Sequence, residues 1–470
     1  MKFRKSLAFL AAALMLTCIG CKKSETKKNN TGVTNDENDP YTSNLEINDY
    51  DGYNFRMLVR PSQIKDQYLE EGSGDPIEDA VYKRNLTVES MYNIKISATE
   101  SSNSNYETDA LNSILAGDDA YDVIFAHTRA AFAYATQHAV LNINEIDSIH
   151  LENPWWAKDI IESADINNHL YVLDGDITLA RYKGVMCLYF NKRIFDELGL
   201  DYPYMMVKDG TWTFDEFSKL VKKGSKDLNG DGVMDVENDQ YGFQSSEWQS
   251  PISILYTGGQ RIYQKNEQGI PELTLNTSKT VDIFDKYFDL MDSEGCIIYL
   301  ENTLTGPDMF RAGRAMFRDG GLSSAQGYRN MDDNFGILPY PKFTESDEYA
   351  SIVNGYSNLL VIPLTVPDEH RTGNIIEALC AIGSRDVVPA FYEQSLKSKF
   401  SRDNESEEMI DIIRDSIIYD LGYASAGTFD SIGRSLARST THDFSSTYAS
   451  QESLALSKLK EFNKAYGGIE

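Results

Sequence analysis

Strand-like and helix-like segments alternate through the first part of this chain, and that alternation restricts the possible folds more than any other feature. Short runs rich in β-branched and aromatic residues are predicted to be strands, at 54–60, 93–99 and 121–126. Longer runs with apolar residues at helical spacing are predicted to be helices, at 75–92 and 106–116. Strands and helices that alternate in this way form βαβ units, so the sequence predicts an α/β fold with a mainly parallel sheet.

The chain changes character around 175–184, and its 470 residues are too many for one small domain. Further strands are predicted at 184–191, 334–340 and 357–363, and helical segments dominate from there to the end. We therefore expect two or three lobes. After residue 17 no stretch is apolar over the roughly eighteen residues that a membrane span needs.

The first twenty residues have the pattern of a signal peptide. Three basic residues precede an apolar run at 7–16, which is too short to span a bilayer. Gly20 directly before Cys21 resembles a bacterial lipobox, in which the cysteine becomes the lipidated first residue of the mature protein. Cys18 stands where such sequences usually have Leu, so cleavage before Cys18 and secretion without lipid are the alternatives. We expect a signal peptide over 1–20 and a lipid on Cys21.

Residues 21–44 are expected to form a disordered tether that begins at the lipidated cysteine. Between 22 and 39 the chain is polar, so it cannot bury a core. The formal charge of −28 argues against nucleic acid and anionic lipid surfaces as partners. The remaining cysteines show no CxxC spacing and are expected to be small buried side chains rather than a disulfide framework. They are Cys187, Cys296 and Cys380.

The stretch 227–243 reads DLNGDGVMDVENDQYGF and has the pattern of a Ca²⁺-binding loop. Gly232 falls where such a loop turns sharply. Asn238 stands in place of the usual bidentate Glu, so Glu237 or Asp239 is left to complete the ligand shell. A solvated turn without an ion is the alternative. We predict a structural Ca²⁺, or a similar cation, with ligands from Asp227, Asn229, Asp231, Val233, Asp235 and Asp239.

A capped helix leads into this loop, because Thr213 and Glu216 form a capping box. Other motifs follow in order: YDVIF at 121–125, NNHLYVLDGD at 167–176, LYFNKRIFDELGL at 188–200, AGRAMF at 312–317, FGILPYPK at 335–342 and NGYSNLLVIP at 354–363. Their order and spacing resemble the extracellular solute-binding proteins of bacterial ABC importers, of the carbohydrate type (family 1). The resemblance covers essentially the whole chain beyond the tether.

The resemblance implies a two-lobed, periplasmic-binding-protein-like fold of type II, with a hinge between the lobes. Each lobe would be a mainly parallel sheet flanked by helices. The chain would cross between lobes near 175–184, near 300 and near 352. We expect 45–183 with 303–351 to form the first lobe, and 184–302 with 352–470 to form the second.

Ligands of open α/β sheets bind beyond the carboxyl ends of the strands. The polar residues predicted to follow those ends are Arg60, His127, Arg129, Asp176 and Arg181. For each of them a purely structural or surface role is the alternative.

Sugar binding also needs flat aromatic rings that stack on pyranose faces. Trp156 and Trp248 are predicted to be such rings, and Tyr356 is a further candidate at a predicted crossing. Trp212 is instead predicted to pack the capped helix into its lobe. A place in the core is the alternative for every tryptophan.

No catalytic motif stands out. The histidines are scattered, and the chain has no HExxH, GxSxG, P-loop or GxGxxG pattern. We predict a lipid-anchored, extracytoplasmic, monomeric binding protein that captures a sugar or oligosaccharide and delivers it to an ABC permease. A ligand-sensing module for a membrane kinase is an alternative of another class, and a secreted polysaccharide-active enzyme is a weaker one.

Overall fold

The structure is a computed structural model that describes residues 39–61, 63–101, 105–300, 308–354, 357–393, 404–425 and 428–466. These residues belong to one compact unit, 34–470. The predicted signal peptide, Cys21, residues 22–38 of the predicted tether, and Tyr356 lie outside the described residues. The end of the predicted tether, 39–44, is packed on the protein: Asp39 forms an ion pair with Arg385, and Thr42 is buried. The prediction of disorder up to residue 44 is therefore wrong for these last residues. Within the described part of the chain, no helix is long and apolar enough to cross a membrane.

The strands and helices follow the predicted segments closely. The strands are β1 Tyr53–Val59, β2 Ile94–Glu100, β3 Val123–His127, β4 Met186–Asn191, β5 Tyr241–Ser246, β6 Tyr263–Lys265, β7 Pro271–Leu273, β8 Cys296–Tyr299, β9 Ala315–Gly321, β10 Phe335–Leu338, β11 Ser351–Ile352, β12 Asn358–Val361 and β13 Ile417–Ile418. The helices are α1 Pro76–Tyr92, α2 Tyr106–Leu115, α3 Thr128–Thr136, α4 Lys158–Ala164, α5 Ala180–Gly184, α6 Lys192–Leu198, α7 Tyr204–Lys208, α8 Phe214–Gly224, α9 Ser250–Thr257, α10 Ser278–Met291, α11 Ala325–Tyr328, α12 Glu369–Ile382, α13 Asn404–Asp415, α14 Leu421–Ala424, α15 Ile432–Ala437 and α16 Phe444–Ala465.

The first lobe is built on the sheet β12-β3-β1-β2. β1 pairs in parallel with both β2 and β3, as the βαβ pattern predicts. β12 adds an antiparallel edge, with Asn358 opposite His127. The helix α1 starts where Asp75 accepts hydrogen bonds from the Ile77 and Glu78 main-chain N–H groups, with Pro76 as its first residue.

The second lobe is built on the sheet β10-β4-β9-β5-β8. β5 pairs in parallel with β8 and β9, and β4 pairs antiparallel with β9 and β10. The capped helix α8 packs against β5 and β9. Thr213 accepts the Glu216 N–H at 3.4 Å at its start, which confirms the predicted cap. Trp212 is fully buried, as predicted, and donates to the Pro339 carbonyl at 3.0 Å.

The predicted lobe boundaries are wrong in the second half of the chain. β9 and β10 lie within 303–351, which was expected in the first lobe, but they hydrogen-bond to β4 in the second sheet. β12 lies within 352–470, which was expected in the second lobe, but it pairs with β3 in the first sheet. The expected crossing near 300 is also wrong, because β8 and β9 on either side of it share one sheet.

Three segments run side by side between the two sheets. The Gly184 carbonyl accepts the Asn354 N–H at 2.9 Å, so the segments before β4 and after β11 lie against each other. β11 pairs in parallel with β13, which brings the stretch around residue 417 to the same place. The crossings predicted near 175–184 and near 352 are therefore present, and the third lies at 417–418.

The three cysteines in the described residues are unpaired, as expected. Cys187 and Cys380 are buried and Cys296 is half-buried. Burial raises the pKa of the Cys187 thiol to about 12, which keeps that thiol protonated and unreactive.

Candidate functional site

The carboxyl ends of both central sheets reach the crossing segments. In the first lobe, His127 at the end of β3 lies opposite Asn358, just after the second crossing. In the second lobe, β9 ends at Gly321, and the next N–H, that of Leu322, donates to the Val185 carbonyl at 3.0 Å. Since ligands of open α/β sheets bind beyond the carboxyl ends of strands, this junction is the candidate site.

A small cavity at the junction is lined from both lobes. Thr128, the first residue of α3, faces it from the first lobe, and Tyr256 of α9 faces it from the second. The crossing segments supply the rest of the wall: Ile352, Val353, Asn354, Ser357, Ile418, Tyr419, Asp420, Tyr423 and Ala424. Its volume of about 20 Å³ is room for little more than one water molecule. A larger ligand can enter here only if the two lobes move apart.

His127 is held rigidly at the first-lobe side of the junction. Its main-chain N–H donates to Glu107 Oε1 at 2.6 Å, and its ring Nδ1 accepts the Arg129 N–H at 3.2 Å. Burial and the neighbouring charges of Arg60 and Arg129 lower the pKa of the ring to about 4. The imidazole is therefore neutral at physiological pH, with its proton on Nε2 because Nδ1 is an acceptor.

Arg129 connects the first lobe to the C-terminal segment. Its guanidinium forms an ion pair with Asp430, which lies two residues before α15. The Arg129 side chain is 44% exposed, whereas that of Asp430 is only 9% exposed. Arg60 follows β1 directly and contributes to the electrostatic field at His127. The structure thus brings Arg60, His127 and Arg129 together, as the sequence predicts.

Trp248 lies in the second lobe, two residues after the carboxyl end of β5. The guanidinium carbon of Arg434 lies 4.1 Å from the centre of the Trp248 ring, in the range of a cation–π contact. The preceding residue, Glu247, has a fully buried side chain that binds two arginines. It accepts Arg434 Nε at 3.2 Å, and Arg438 Nε and Nη2 at 2.5 and 2.6 Å.

Four charged residues of this region were not among those predicted from sequence: Glu247, Arg434, Arg438 and Asp430. Arg434 and Arg438 are four residues apart, so they share one face of a helix, and that spacing was a usable signal. No sequence pattern marks Glu247 or Asp430, because nothing local distinguishes these two carboxylates among the 72 acidic residues of the chain.

Trp156 does not line the small cavity around Thr128 and Tyr256, so the prediction that it stacks on a sugar finds no support there. Its ring is 2% exposed, and its Nε1 donates to Glu377 Oε2 at 3.0 Å. Trp155 donates to the other oxygen of Glu377, at 3.1 Å. The ring also lies so close to Gly175 that a β-carbon there would be 2.6 Å from it. Both tryptophans are core residues around one buried carboxylate.

Asp176 and Arg181 line a different cavity, of about 390 Å³, together with Trp155, Trp156 and Arg414. Asp176 accepts the Tyr182 hydroxyl at 2.6 Å, and burial raises its pKa to about 6. Arg181 Nη2 donates to Asp159 at 3.1 Å. The structure therefore separates these two predicted ligand residues from the group around His127, and they have partners of their own.

The acidic loop between α8 and β5 uses its carboxylates to bind its own main chain. Asp227 accepts the N–H groups of Gly230 and Gly232, at 2.6 and 2.8 Å, and Asp231 accepts that of Val233 at 2.8 Å. In the same way, Asp235 accepts from Glu237 and Asn238, and Asp239 accepts from Leu228 and Asp235. In the described part of the chain, no group of three or more His, Cys, Asp or Glu side chains is placed to hold a metal ion.

Comparisons with solved structures show the same fold in sugar-binding components of ABC transporters. A solute-binding protein from Thermotoga lettingae, bound with α-D-tagatose, matches with a TM-score of 0.54 at 16% identity, over 88% of this chain and all of that one. A Listeria monocytogenes substrate-binding protein in complex with cycloalternan matches with a TM-score of 0.51 at 13% identity, over 89% and 95%. A Rhizobium etli sugar transporter in an open conformation matches with a TM-score of 0.56 at 14% identity, over 89% and 100%.

Sequence comparison adds the family. No curated protein matches the chain. The family model described as bacterial extracellular solute-binding protein matches residues 87–381, which include β2 to β5, β8 to β12 and both crossings beside β4 and β11. That match spans more than half of the chain and includes most of the residues at the junction. The chain therefore belongs to the bacterial extracellular solute-binding protein family.

Proposed function

We propose that this protein captures a carbohydrate between its two lobes and delivers it to the permease of an ABC importer. The observation that supports this most is the junction itself, where Thr128, directly after β3, and Tyr256, on α9 of the second lobe, line one cavity. Two lobes that line one cavity, with chain crossings beside it, are suited to enclose a ligand.

Capture by closure follows from the two-lobed arrangement. The cavity around Thr128 and Tyr256 has room for about one water molecule, whereas the cavity of about 390 Å³ lined by Trp156 and Arg414 reaches the third crossing at Ile417. A ligand that touches both lobes binds the closed form better.

Carbohydrate is the proposed ligand class because of the aromatic and planar polar groups near the carboxyl ends of β3 and β5. Trp248 offers a flat ring, and Arg129, Arg434 and Arg438 offer hydrogen-bond donors in fixed planes. The ligands named for two of the similar structures, tagatose and cycloalternan, are carbohydrates. We propose no catalytic role, because the family is one of binding proteins.

We also propose that the protein is held at the outer face of the cell membrane by a lipid on Cys21. Membership of an extracellular solute-binding family agrees with a site outside the cytoplasm. The Gly20-Cys21 pair after the apolar run at 7–16 is the support for the lipid. The soluble part is proposed to act as a monomer.

A structural Ca²⁺ in the acidic loop remains a proposal that rests on the sequence pattern. The carboxylates of Asp227, Asp231 and Asp235 each accept main-chain N–H groups. Each carboxylate has about four acceptor positions, so these bonds leave capacity for a cation. Binding would require the side chains to turn towards a common centre.

A thermal-shift screen against monosaccharides and oligosaccharides tests the proposed function. A ligand at one hundred times its Kd stabilises the protein by about 2.7 kcal/mol, which gives a clear rise in Tm. We expect at least one carbohydrate to raise Tm with saturation. The matched control is the Trp248→Ala variant, whose Tm that carbohydrate should raise less at the same concentration.

A further inference from the structure

One arginine of the first lobe is fully buried, and within the described part of the chain its guanidinium hydrogen-bonds to neutral oxygens. Arg84 lies on α1 and has no exposed surface. Its Nε donates to the side-chain oxygen of Asn85 at 3.0 Å. Its Nη1 donates to the Ile177 carbonyl at 2.7 Å, and its Nη2 donates to the Gln67 carbonyl at 2.8 Å. The guanidinium thus connects two main-chain carbonyls that are far apart in the chain.

The burial of this charge costs free energy that an apolar side chain of similar size would not cost. Burial lowers the pKa of Arg84 to about 10, and nearby groups including Asp66 offset only part of that shift. The side chain is therefore still charged at physiological pH. An arginine differs from an apolar residue here in one useful respect. Its planar group carries donors on separate nitrogens, so it can hold two chain segments in a fixed relation.

The two connected carbonyls belong to segment 63–67, which follows β1, and to the first crossing. Other bonds join the same places. Asn85 Nδ2 also donates to the Gln67 carbonyl, at 2.8 Å. Gln67 Nε2 donates to Thr178 Oγ1 at 2.7 Å, and both of these side chains are buried. Helix α1, segment 63–67 and the first crossing therefore form one buried hydrogen-bond network.

Segment 63–67 also reaches the edge of the junction between the lobes. At its far end Asp66 forms an ion pair with Lys183 of the first crossing. At its near end Gln63 Oε1 accepts the side-chain N–H of Asn358 at 2.6 Å. Asn358 follows Ser357, which lines the junction cavity. The placement of this segment therefore determines the shape of the first-lobe side of the site.

We propose that Arg84 is a positioning residue for ligand binding, which holds segment 63–67 on the first crossing so that the first-lobe side of the site is formed before the carbohydrate arrives. This rests on the proposed function, since it concerns the same site. Arg84 is fully buried, so it acts through Gln67 and Ile177 and does not touch the ligand. Without it the segment is correctly placed for only part of the time, and the apparent affinity falls by that fraction.

Hydrogen exchange of the ligand-free protein tests the first half of this proposal. In Arg84→Met, the main-chain amides of Asp66, Gln67 and Tyr68 should exchange about tenfold or more faster than in the wild type, because the segment opens locally. These amides are hydrogen-bonded within the segment, so their exchange reports its opening. Val88→Ala is the matched control, since Val88 is a fully buried apolar residue one turn further along α1. Unchanged exchange in Arg84→Met, or equal acceleration in the control, would overturn the proposal.

Isothermal titration calorimetry tests the second half. The titrant is the sugar that raises Tm most in a panel of monosaccharides and oligosaccharides that includes tagatose, cycloalternan, maltotriose and mannobiose. Arg84→Met should bind it about tenfold more weakly than the wild type, at a temperature where both are folded, and Val88→Ala should bind it as the wild type does.

Thr178→Val provides a second variant should Arg84→Met fail to fold. It keeps the side-chain shape and removes the acceptor of Gln67 Nε2, so it should weaken binding in the same direction by a smaller factor. Wild-type affinity in the variants that fold would overturn the proposal and leave the proposed function standing. Binding of no sugar of the panel by the wild-type protein would overturn the proposed function and this proposal with it.

Discussion

The guanidinium carbon of Arg434 lies 4.1 Å from the centre of the Trp248 ring, just beyond the carboxyl end of β5. Trp248→Ala should weaken carbohydrate affinity by about 1–3 kcal/mol, since it removes the aromatic platform and the surface on which Arg434 packs. The free energy of unfolding should change less than the binding free energy. Calorimetric titration and denaturant unfolding of the same variant measure the two effects. Full affinity in the variant would remove Trp248 from the site.

Trp156→Ala should behave in the opposite way. Its ring is buried and bonded to Glu377, so truncation should cost about 3–5 kcal/mol of stability through the cavity and the lost hydrogen bond. Carbohydrate affinity, measured at a temperature where the variant is still folded, should stay close to that of the wild type. A variant that is as stable as the wild type but no longer binds sugar would show that Trp156 belongs to the ligand site.

Asp174 gives a prediction for the pH dependence of stability. Burial raises the pKa of this carboxyl from 3.8 to about 7. The folded protein therefore holds the proton more tightly than the unfolded chain, and the stability from this group is complete below about pH 4 and lost as the pH rises towards 7. Asp174→Asn cannot titrate, so its free energy of unfolding should decline less than that of the wild type between these pH values. Parallel pH dependences in urea unfolding would contradict the prediction.

The acidic loop predicts a response to Ca²⁺. Adding Ca²⁺ to chelator-treated protein should raise Tm, because a bound cation relieves the repulsion among Asp227, Asp231 and Asp235. The double variant Asp227→Asn/Asp231→Asn should lose the response, and Asp215→Asn, an exposed carboxylate on the adjacent helix, should keep it. The same Tm with chelator and with Ca²⁺, with no metal found by elemental analysis, would leave the loop as a turn that its own hydrogen bonds stabilise.

Cys21→Ser should release the protein from the membrane fraction. The serine cannot carry the thioether-linked lipid, and the described residues contain no helix able to span a bilayer. Cell fractionation with mass spectrometry of the mature N-terminus tests this. A variant that stays in the membrane, together with a wild type that lacks lipid, would exclude the proposed anchor.

Local sequence patterns predicted the helices and strands well. They could not predict which strands pair when those strands lie far apart in the chain. The capping residue Thr213 and the alternation over 54–126 act within a few residues, so they are visible in the sequence. The sheet to which β9, β10 or β12 belongs depends on partners such as Asn191 and His127, far away in the chain. No local feature encodes those pairings.

The candidate site was predicted in part for the same reason. His127 ends β3 and Arg129 comes two residues later, so the carboxyl-end rule places both at this end of the first sheet. The sequence around Trp156 does not distinguish a cleft position from a core position. In the structure its indole N–H donates to Glu377, which lies 221 residues away in the chain. Arg434 and Arg438 gain their role from Glu247, a partner that only the fold identifies.

Small-angle X-ray scattering with and without a carbohydrate that raises Tm tests the central claim most directly. If the ligand is captured between the lobes by closure, the free protein should be more open than the bound protein. Saturating carbohydrate should therefore reduce the radius of gyration. An identical radius of gyration in both states, at a concentration where calorimetry shows full binding, would contradict capture by lobe closure.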